Sequence, residues 1–303
     1  MGTMSPRPKR PGPAPSGPGL RPPRPEDRRA EQEGPAPVAV IKDLRELWGH
    51  RDLLLQFAFN DLKHRYIGSL MGVFWMVINP IIELGTYTFV FHVLMQQNFT
   101  PQGGVVHYSL FLFCGMVAWF AVADGLNRST TAITSHAHLI KKVNFPAAVL
   151  PAHLVLSAVF NQGVRTGILA LGAIFLGNGL SIHFLLVPVF VLLQTLFVSG
   201  LAFFLSTAQV YFRDTAHWVN AGLLAWMFIT PIFYPADAYP QQAQLLLQLN
   251  PLAHVVGIYQ ELILNQRMPN PRQMILVTVF SIGFFVAGYS VFAHHRKNFA
   301  DLV

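Results

Sequence analysis

The feature that most limits what this chain can become is a series of apolar blocks, each about as long as a bilayer is thick, separated by short polar intervals. Crossing about 30 Å of hydrocarbon takes ~20 helical residues at ~1.5 Å each. Lipid offers the backbone no hydrogen-bond partners, so such blocks must satisfy themselves as helices. The apolar residues show no period-two alternation, and the expected class is therefore an all-α integral membrane protein. Six spans are predicted, over 69–95, 108–126, 147–176, 183–212, 215–234 and 274–293.

The interval 127–146 sets the orientation. It carries Arg128, Lys141 and Lys142, whereas 96–107 and 177–183, one span away on either side, carry no Lys or Arg. Short loops rich in Lys and Arg stay in the cytoplasm, so this interval faces inward and both termini follow by counting. Arg267 and Arg272 are then the basic residues left outside. The formal charge of +7 calls for no nucleic-acid partner, because most Lys and Arg lie in the first 68 residues and the rest sit at span ends. The one cysteine, Cys114, has no partner in the chain, which excludes an intramolecular disulfide and a Cys-rich metal site.

Residues 1–37 hold half of all the prolines and almost no large apolar residue, and are expected to form a disordered cytosolic tail touching solvent or anionic lipid. No apolar stretch precedes Val38, so the first span is expected to act as the insertion signal. Residues 38–68 interleave charges with apolar residues at helical spacing and read as an amphipathic interface helix on the cytoplasmic surface. The remainder, 69–303, forms the membrane domain. Within it, 241–249 and 252–264 are helical, too short to span and separated by Asn250-Pro251, which predicts a re-entrant or external helix pair between spans five and six.

No P-loop, paired-histidine zinc signature or nucleophile elbow is present, so no catalytic residue and no metal ligand is assigned. His136-x-His138 and His294-His295 read as interfacial polar residues. An isolated carboxylate near mid-membrane costs several kcal/mol, so Glu83 is expected to face protein or water, protonated or paired; Arg165 lies in a span that also starts from the cytoplasm, at comparable depth, and a contact between the two is one hypothesis for that partner. Asn79-Pro80 is expected to bend the first span. Trp75, Tyr87, Trp119, Phe120, Phe228 and Tyr234 are candidates for lining a sugar conduit, because an aromatic face stacks on the apolar face of a pyranose.

Several stretches then resemble one family, the permease subunits of type-2 ABC exporters for polysaccharides of the O-antigen and teichoic-acid type. They are 51–66, Ser69-Leu70-Met71-Gly72-Val73-Phe74-Trp75 leading to Asn79-Pro80, Asn127-Arg128-Ser129-Thr130, 139–146, Tyr211-Phe212-Arg213-Asp214, 230–235, Leu249-Asn250-Pro251-Leu252 and Phe299-Ala300-Asp301. The resemblance implies a homodimer bound to two nucleotide-binding ATPase subunits that hold ATP and Mg, with no cofactor in this chain. It also implies an undecaprenyl-linked polysaccharide as substrate, moved across a bacterial inner membrane. Residues 135–145 would ride in a groove of the ATPase, with His138, Leu139, Lys141, Lys142, Asn144 and Phe145 in contact. Arg165 stands where that family is ordinarily apolar. Two other classes compete with this one. An integral-membrane acyl- or glycosyltransferase on polyprenyl-linked glycan would use His136 or His138 as base, but no carboxylate is clearly placed to assist. An ion-coupled carrier would show internal repeats, and none is evident.

Overall fold

The computed structural model describes residues 49–66, 71–96, 104–141, 145–177 and 179–303. The expected tail 1–37, the first part of the interface helix, and Lys142 and Asn144 of the elbow lie outside them. The described residues are helical throughout, with no strand among them. The elements are α1 (Arg51–Tyr66), α2 (Trp75–Thr88, continued as a π-helix over Phe89–Leu94), α3 (Val105–Thr130) and the short α4 (Ala132–Ser135) and α5 (Ala137–Ile140). After them come α6 (Val149–Leu176), α7 (Val187–Tyr211, entered through Ile182–Leu186), α8 (Thr215–Ile229), α9 (Gln244–Leu249), α10 (Pro251–Ile263), α11 (Pro271–His295) and α12 (Phe299–Leu302). The protein is a multi-pass membrane protein: among the described residues, five helices are long and apolar enough to cross a bilayer, built on α2, α3, α6, α7 and α11.

Helix α3 is the central rod. Sixteen of its residues are buried, including Tyr108, Phe113, Met116 and Trp119, whereas α2 buries only Pro80 and Thr88 and α8 only Leu223. Against α3 packs α10, whose Leu252, Val256, Ile258, Tyr259 and Leu262 are all at most 1 % exposed. The start of α10 is written locally. Asn250 accepts from the Leu252 N–H at 3.1 Å and Pro251 occupies the first turn, where its missing N–H is harmless. Asn270-Pro271 begins α11 in the same way, with Arg272 N–H donating to Asn270 Oδ1 at 2.9 Å.

Three expectations are sharpened here. The helix of the first span continues through Pro80, from Trp75 to Thr88, so the proline does not end it. The block expected as span five is helical only over Thr215–Ile229, 15 residues or about 22 Å. It stops because Thr230 is extended and Pro231 follows. The helix pair before α11 forms as expected, and its second member is buried in protein rather than lying free on a surface.

Helix α1, which falls in the stretch expected as an amphipathic interface helix, also departs from a simple surface helix. Asp52 sits in its first turn and Lys63, His64 and Arg65 in its last, matching the helix dipole at both ends. Ala58 is fully buried against α6, and Ser157 Oγ donates to its carbonyl at 3.2 Å. Phe57 meets the His153 ring edge-on at 5.4 Å, and Phe59 lies 5.3 Å from Phe160.

Candidate functional site

The interval between α3 and α6 folds as a double elbow. Helix α3 runs to Thr130, the chain turns at Thr131, and α4 and α5 follow with a second turn at His136. The exposed residues of this elbow are Ser135 at the end of α4 and His138 and Lys141 in and just after α5, while Ala132 and Ile133 are buried beneath. Leu139, Ile140 and Phe145 are partly buried against Leu150, Leu154 and the Phe57 of α1. Ile133 and Ile140 also pack with Phe203, Tyr289, Phe292 and Phe299. The elbow is thus packed between α1 and the C-terminal segment, whose Phe299 is fully buried and contacts Phe292 at 5.4 Å.

Two i,i+4 pairs, Asp61 with Arg65 on α1 and Asp124 with Arg128 near the C-terminal end of α3, bind those two helices to each other. Arg65 Nη2 donates to both carboxylate oxygens of Asp124, at 2.8 and 2.6 Å, and Arg128 donates to Asp61 Oδ1. Arg65 to Asp61 and Arg128 to Asp124 close the square at 3.8 and 3.9 Å. Burial alone would raise the Asp61 carboxyl. The hydrogen bond and charge of Arg128, helped by Ser157 and Arg65, outweigh it and hold Asp61 below the ordinary 3.8. Because the folded value is depressed, the stabilisation is present above 3.8 and is lost as pH falls beneath it through the folded value. Hydrogen exchange of the α1 amides is therefore expected to accelerate on acidification below that point, and Asp61→Asn is expected to remove the step. The pattern of 38–68 sets its charges only on the faces left by the apolar residues, and Arg128 enters the sequence argument only through orientation, so the cluster is not foreseen. Its legible signal was the matched spacing, Asp61 with Arg65 and Asp124 with Arg128.

The structure brings Glu83 and Arg165 together, with Arg165 Nη1 donating to Glu83 Oε2 at 2.7 Å. The guanidinium also lies over the Phe120 ring, 4.3 Å from its centroid. Both residues line a cavity of about 380 Å³ between α2, α3 and α6, with Trp75, Asn79, Asn127, Asn161 and Gln162. Behind it is a closed network. Gln162 Nε2 donates to Gln194 Oε1 and Tyr259 Oη, each at 3.0 Å, Tyr259 donates to Gln194 Oε1 at 2.9 Å, and Gln194 Nε2 donates to Ala118 O at 2.9 Å. It joins α6, α7, α10 and α3 at one buried point. A second link, Trp226 Nε1 to Asn250 Oδ1 at 2.9 Å and Asn250 Nδ2 to Thr230 Oγ1 at 3.0 Å, ties α10 to α8.

The six aromatic candidates divide. Trp75 and Phe120 line the cavity. Tyr87 and Phe228 surround the buried Phe233 at 5.5 and 5.6 Å, and Tyr234 donates to Phe228 O beside Tyr239. Trp119 is corrected: it is 4 % exposed and packs edge-on to Trp226 at 6.2 Å, so it belongs to the core of this chain and lines no open surface. His136 Nδ1 bonds Ala132 O and His138 is exposed. Among the described residues no group of three or more His, Cys, Asp or Glu gathers as metal ligands.

Comparison with known proteins covers this whole arrangement. The ABC-2 type transporter family matches residues 55–264, from α1 through the elbow and cavity to the end of α10. A protein of Myxococcus xanthus named O-antigen export system permease protein RfbA is 30% identical over 266 residues, 87% of this chain and 100% of its own length. Two Klebsiella pneumoniae proteins of the same name are 26% and 28% identical, each over 83% of this chain and 95% of their own. With more than half of its length matched, and a relative at that identity aligned end to end, the chain belongs to the ABC-2 type transporter family.

Proposed function

We propose that this chain is the non-catalytic permease subunit of an ABC exporter that carries undecaprenyl-linked polysaccharide of the O-antigen type across a bacterial inner membrane. The observation that carries the proposal is the end-to-end match to a protein named as an O-antigen export permease. In this reading α2, α3, α6, α7, α8 and α11 are six spans with both termini in the cytoplasm, α8 completing its crossing through the non-helical turns of 230–235. Two copies assemble, and the sparsely buried α2 and α8 are the helices left to face a second copy. Two ATPase subunits, holding ATP and Mg, dock on the elbow through Ser135, His138 and Lys141. Closure of the ATPase pair pushes the elbow, the rigid α3 and α6 transmit the displacement, and a gap opens between protomers for the glycan. The lipid tails stay in hydrocarbon throughout.

The direct test is co-purification of the chain with an ATPase whose turnover responds to lipid-linked glycan. Vesicles holding this polypeptide alone that move glycan without nucleotide would overturn the proposal. The elbow gives a second expected result. Lys141→Glu with Lys142→Glu should lower export about tenfold or more, because like charges forced together at an interface cost more than the ~1.4 kcal/mol that a factor of ten represents. Membrane insertion of that variant, followed by protease accessibility, is expected to be unchanged.

A further inference from the structure

Arg272 stands where three electrostatic rules count against it. Outer loops are ordinarily poor in Lys and Arg, yet the orientation argued from the sequence leaves this residue outside. It lies in the first turn of α11, an end of the helix whose dipole favours anions over cations. Among the described residues no carboxylate forms an ion pair with it; its backbone N–H is engaged by Asn270 Oδ1, and the side chain is exposed. Neither topology, helix stability nor an ion pair within the chain accounts for the guanidinium.

What Arg272 borders is a groove of about 400 Å³ between α9 and α11, with His254 of α10 also on its lining. The chemistry of the groove changes in order along α11. Arg272, Asn270 and Gln273 stand at the start; Leu276 and Phe280 continue the same face, Phe280 lying eight residues and so ~12 Å further on than Arg272. The opposite wall is α9, whose Leu245 and Leu249 are one turn apart and 62% and 63% exposed. His254 Nε2 donates to Gln248 O at 2.9 Å, and its ring stacks on Phe280 with centroids 6.5 Å apart, which fixes the imidazole between the two walls. Among the described residues no Asp or Glu lines the groove. A cation without an anion at one end, amides beside it and an apolar channel beyond them complement an amphiphile with a single negative head.

We infer that the groove between α9 and α11 holds one anionic phospholipid of the outer leaflet. Arg272 donates to its phosphate oxygens, a charge-assisted contact that the planar guanidinium makes well. Leu245, Leu249, Leu276 and Phe280 cover the start of an acyl chain, whose remainder lies in the bilayer. The volume, near the lower end of the ~300–1,000 Å³ of ligand clefts, suits a head group and its first methylenes. No part of the lining belongs to α2 or α8, the helices left above to face a second copy. The lipid also supplies packing that α9, which buries only Leu247, does not receive from protein. The leaflet rests on the six-span orientation proposed above; the preference for a negative head does not.

The test counts lipids bound to the full-length chain, purified in a non-ionic detergent, by native mass spectrometry. The titrants are phosphatidylglycerol, phosphatidylethanolamine, undecaprenyl phosphate and inorganic phosphate. The first phosphatidylglycerol is expected to bind about fivefold more tightly than phosphatidylethanolamine, the factor expected of one arginine near a lipid head, and Arg272→Gln to remove that preference. Arg267→Gln, exposed in the same segment but off the lining, is expected to change neither affinity. Leu249→Gln acts on the acyl chain and is expected to weaken both phospholipids alike. Equal wild-type affinity for the two phospholipids would reduce the groove to ordinary lipid-facing surface, and equal losses in Arg267→Gln and Arg272→Gln would reduce it to diffuse charge; either result overturns the inference. Tighter, Arg272-dependent binding of undecaprenyl phosphate would give the groove to the polyprenyl carrier instead. Displacement of phosphatidylglycerol by inorganic phosphate, with Leu249→Gln silent, would make it a phosphate site, and a dimer that loosens in Leu249→Gln with lipid binding unchanged would assign it to a second copy. The leaflet is read separately, from Arg272→Cys and a membrane-impermeant maleimide, Cys114 being fully buried. Labelling of intact spheroplasts supports the outer leaflet; labelling only of opened membranes overturns the leaflet and the six-span orientation together, while the lipid preference stands.

Discussion

Gly288→Val is expected to leave almost no folded protein, and Gly288→Ala to lower the melting temperature by on the order of 5–10 °C. Helices α7 and α11 cross with Gly200 and Gly288 face to face. A Cβ at Gly288 would run into the Gly200 carbonyl oxygen and stand 2.6 Å from its carbon, and a Cβ at Gly200 would stand 2.5 Å from the Phe284 carbonyl carbon and 2.6 Å from Phe285 Cα. Every one of these neighbours is backbone, so no rotamer change relieves the contact and the two helices must separate. Helices in lipid gain nothing from the hydrophobic effect when they associate, and depend on close approach through small residues. Separation also strips packing from Phe203, which meets Tyr289 and Phe292 at 5.0 Å, in the same cluster that seats the elbow. Overpacking of about 1–3 kcal/mol applies to cores that give way; a backbone collision is the harder case. Gly283→Ala on the same helix meets nothing within 4 Å and serves as the control, with a melting temperature expected to match the wild type. Equal losses at 283 and 288 would show that helix flexibility, not close approach, is what these glycines supply.

The parts of this molecule that are local in sequence were legible in it. Asn250-Pro251 announced both the break in the helix pair and the start of α10, because an N-cap side chain and a proline in the first turn act within three residues. Depth made Glu83 and Arg165 candidates for a contact, since two rods entering the bilayer from one side bring equal rises to equal depths, but depth does not say which way either side chain turns. Rotation about a helix axis was not legible. Trp119 and Phe120 are neighbours in α3, yet one sits in the core and the other lines the cavity, because each residue turns about 100° from the last and only the packing of α2, α6 and α8 decides which face is closed. The ion square of Asp61, Arg65, Asp124 and Arg128 was missed for a related reason. Charges on an amphipathic helix are read as its solvent face, and nothing in 51–66 reveals that a second pair with the same spacing waits on α3. The role of Phe299 in bracing the elbow depends on a chain reversal across the whole bundle, which no local pattern encodes.

Removing one member of the Glu83–Arg165 pair is expected to cost more than removing both. Arg165 cannot shed its charge, whereas a lone carboxyl can bind a proton. Glu83→Leu therefore leaves a fixed cation with only the Phe120 ring, 4.3 Å away, to offset a burial cost of about 2.5–3.5 kcal/mol near mid-membrane. Arg165→Leu leaves the smaller side chain, lining a cavity, without its partner, and is expected to be the milder single change. The double variant Glu83→Leu/Arg165→Leu buries no charge at all and is expected to recover most of the yield lost in Glu83→Leu, by the logic that makes a lone buried ion worse than none. Folded yield by fluorescence-detected gel filtration across the four proteins gives the coupling free energy directly; additive losses would mean the 2.7 Å contact carries no stability. Exchanging the charges, Glu83→Arg with Arg165→Glu, restores the ion pair but puts a carboxylate over the Phe120 face where a guanidinium had been. That variant is expected between Glu83→Leu and wild type, and a swap as poor as the worse single change would show that depth in the bilayer, rather than pairing, sets the cost.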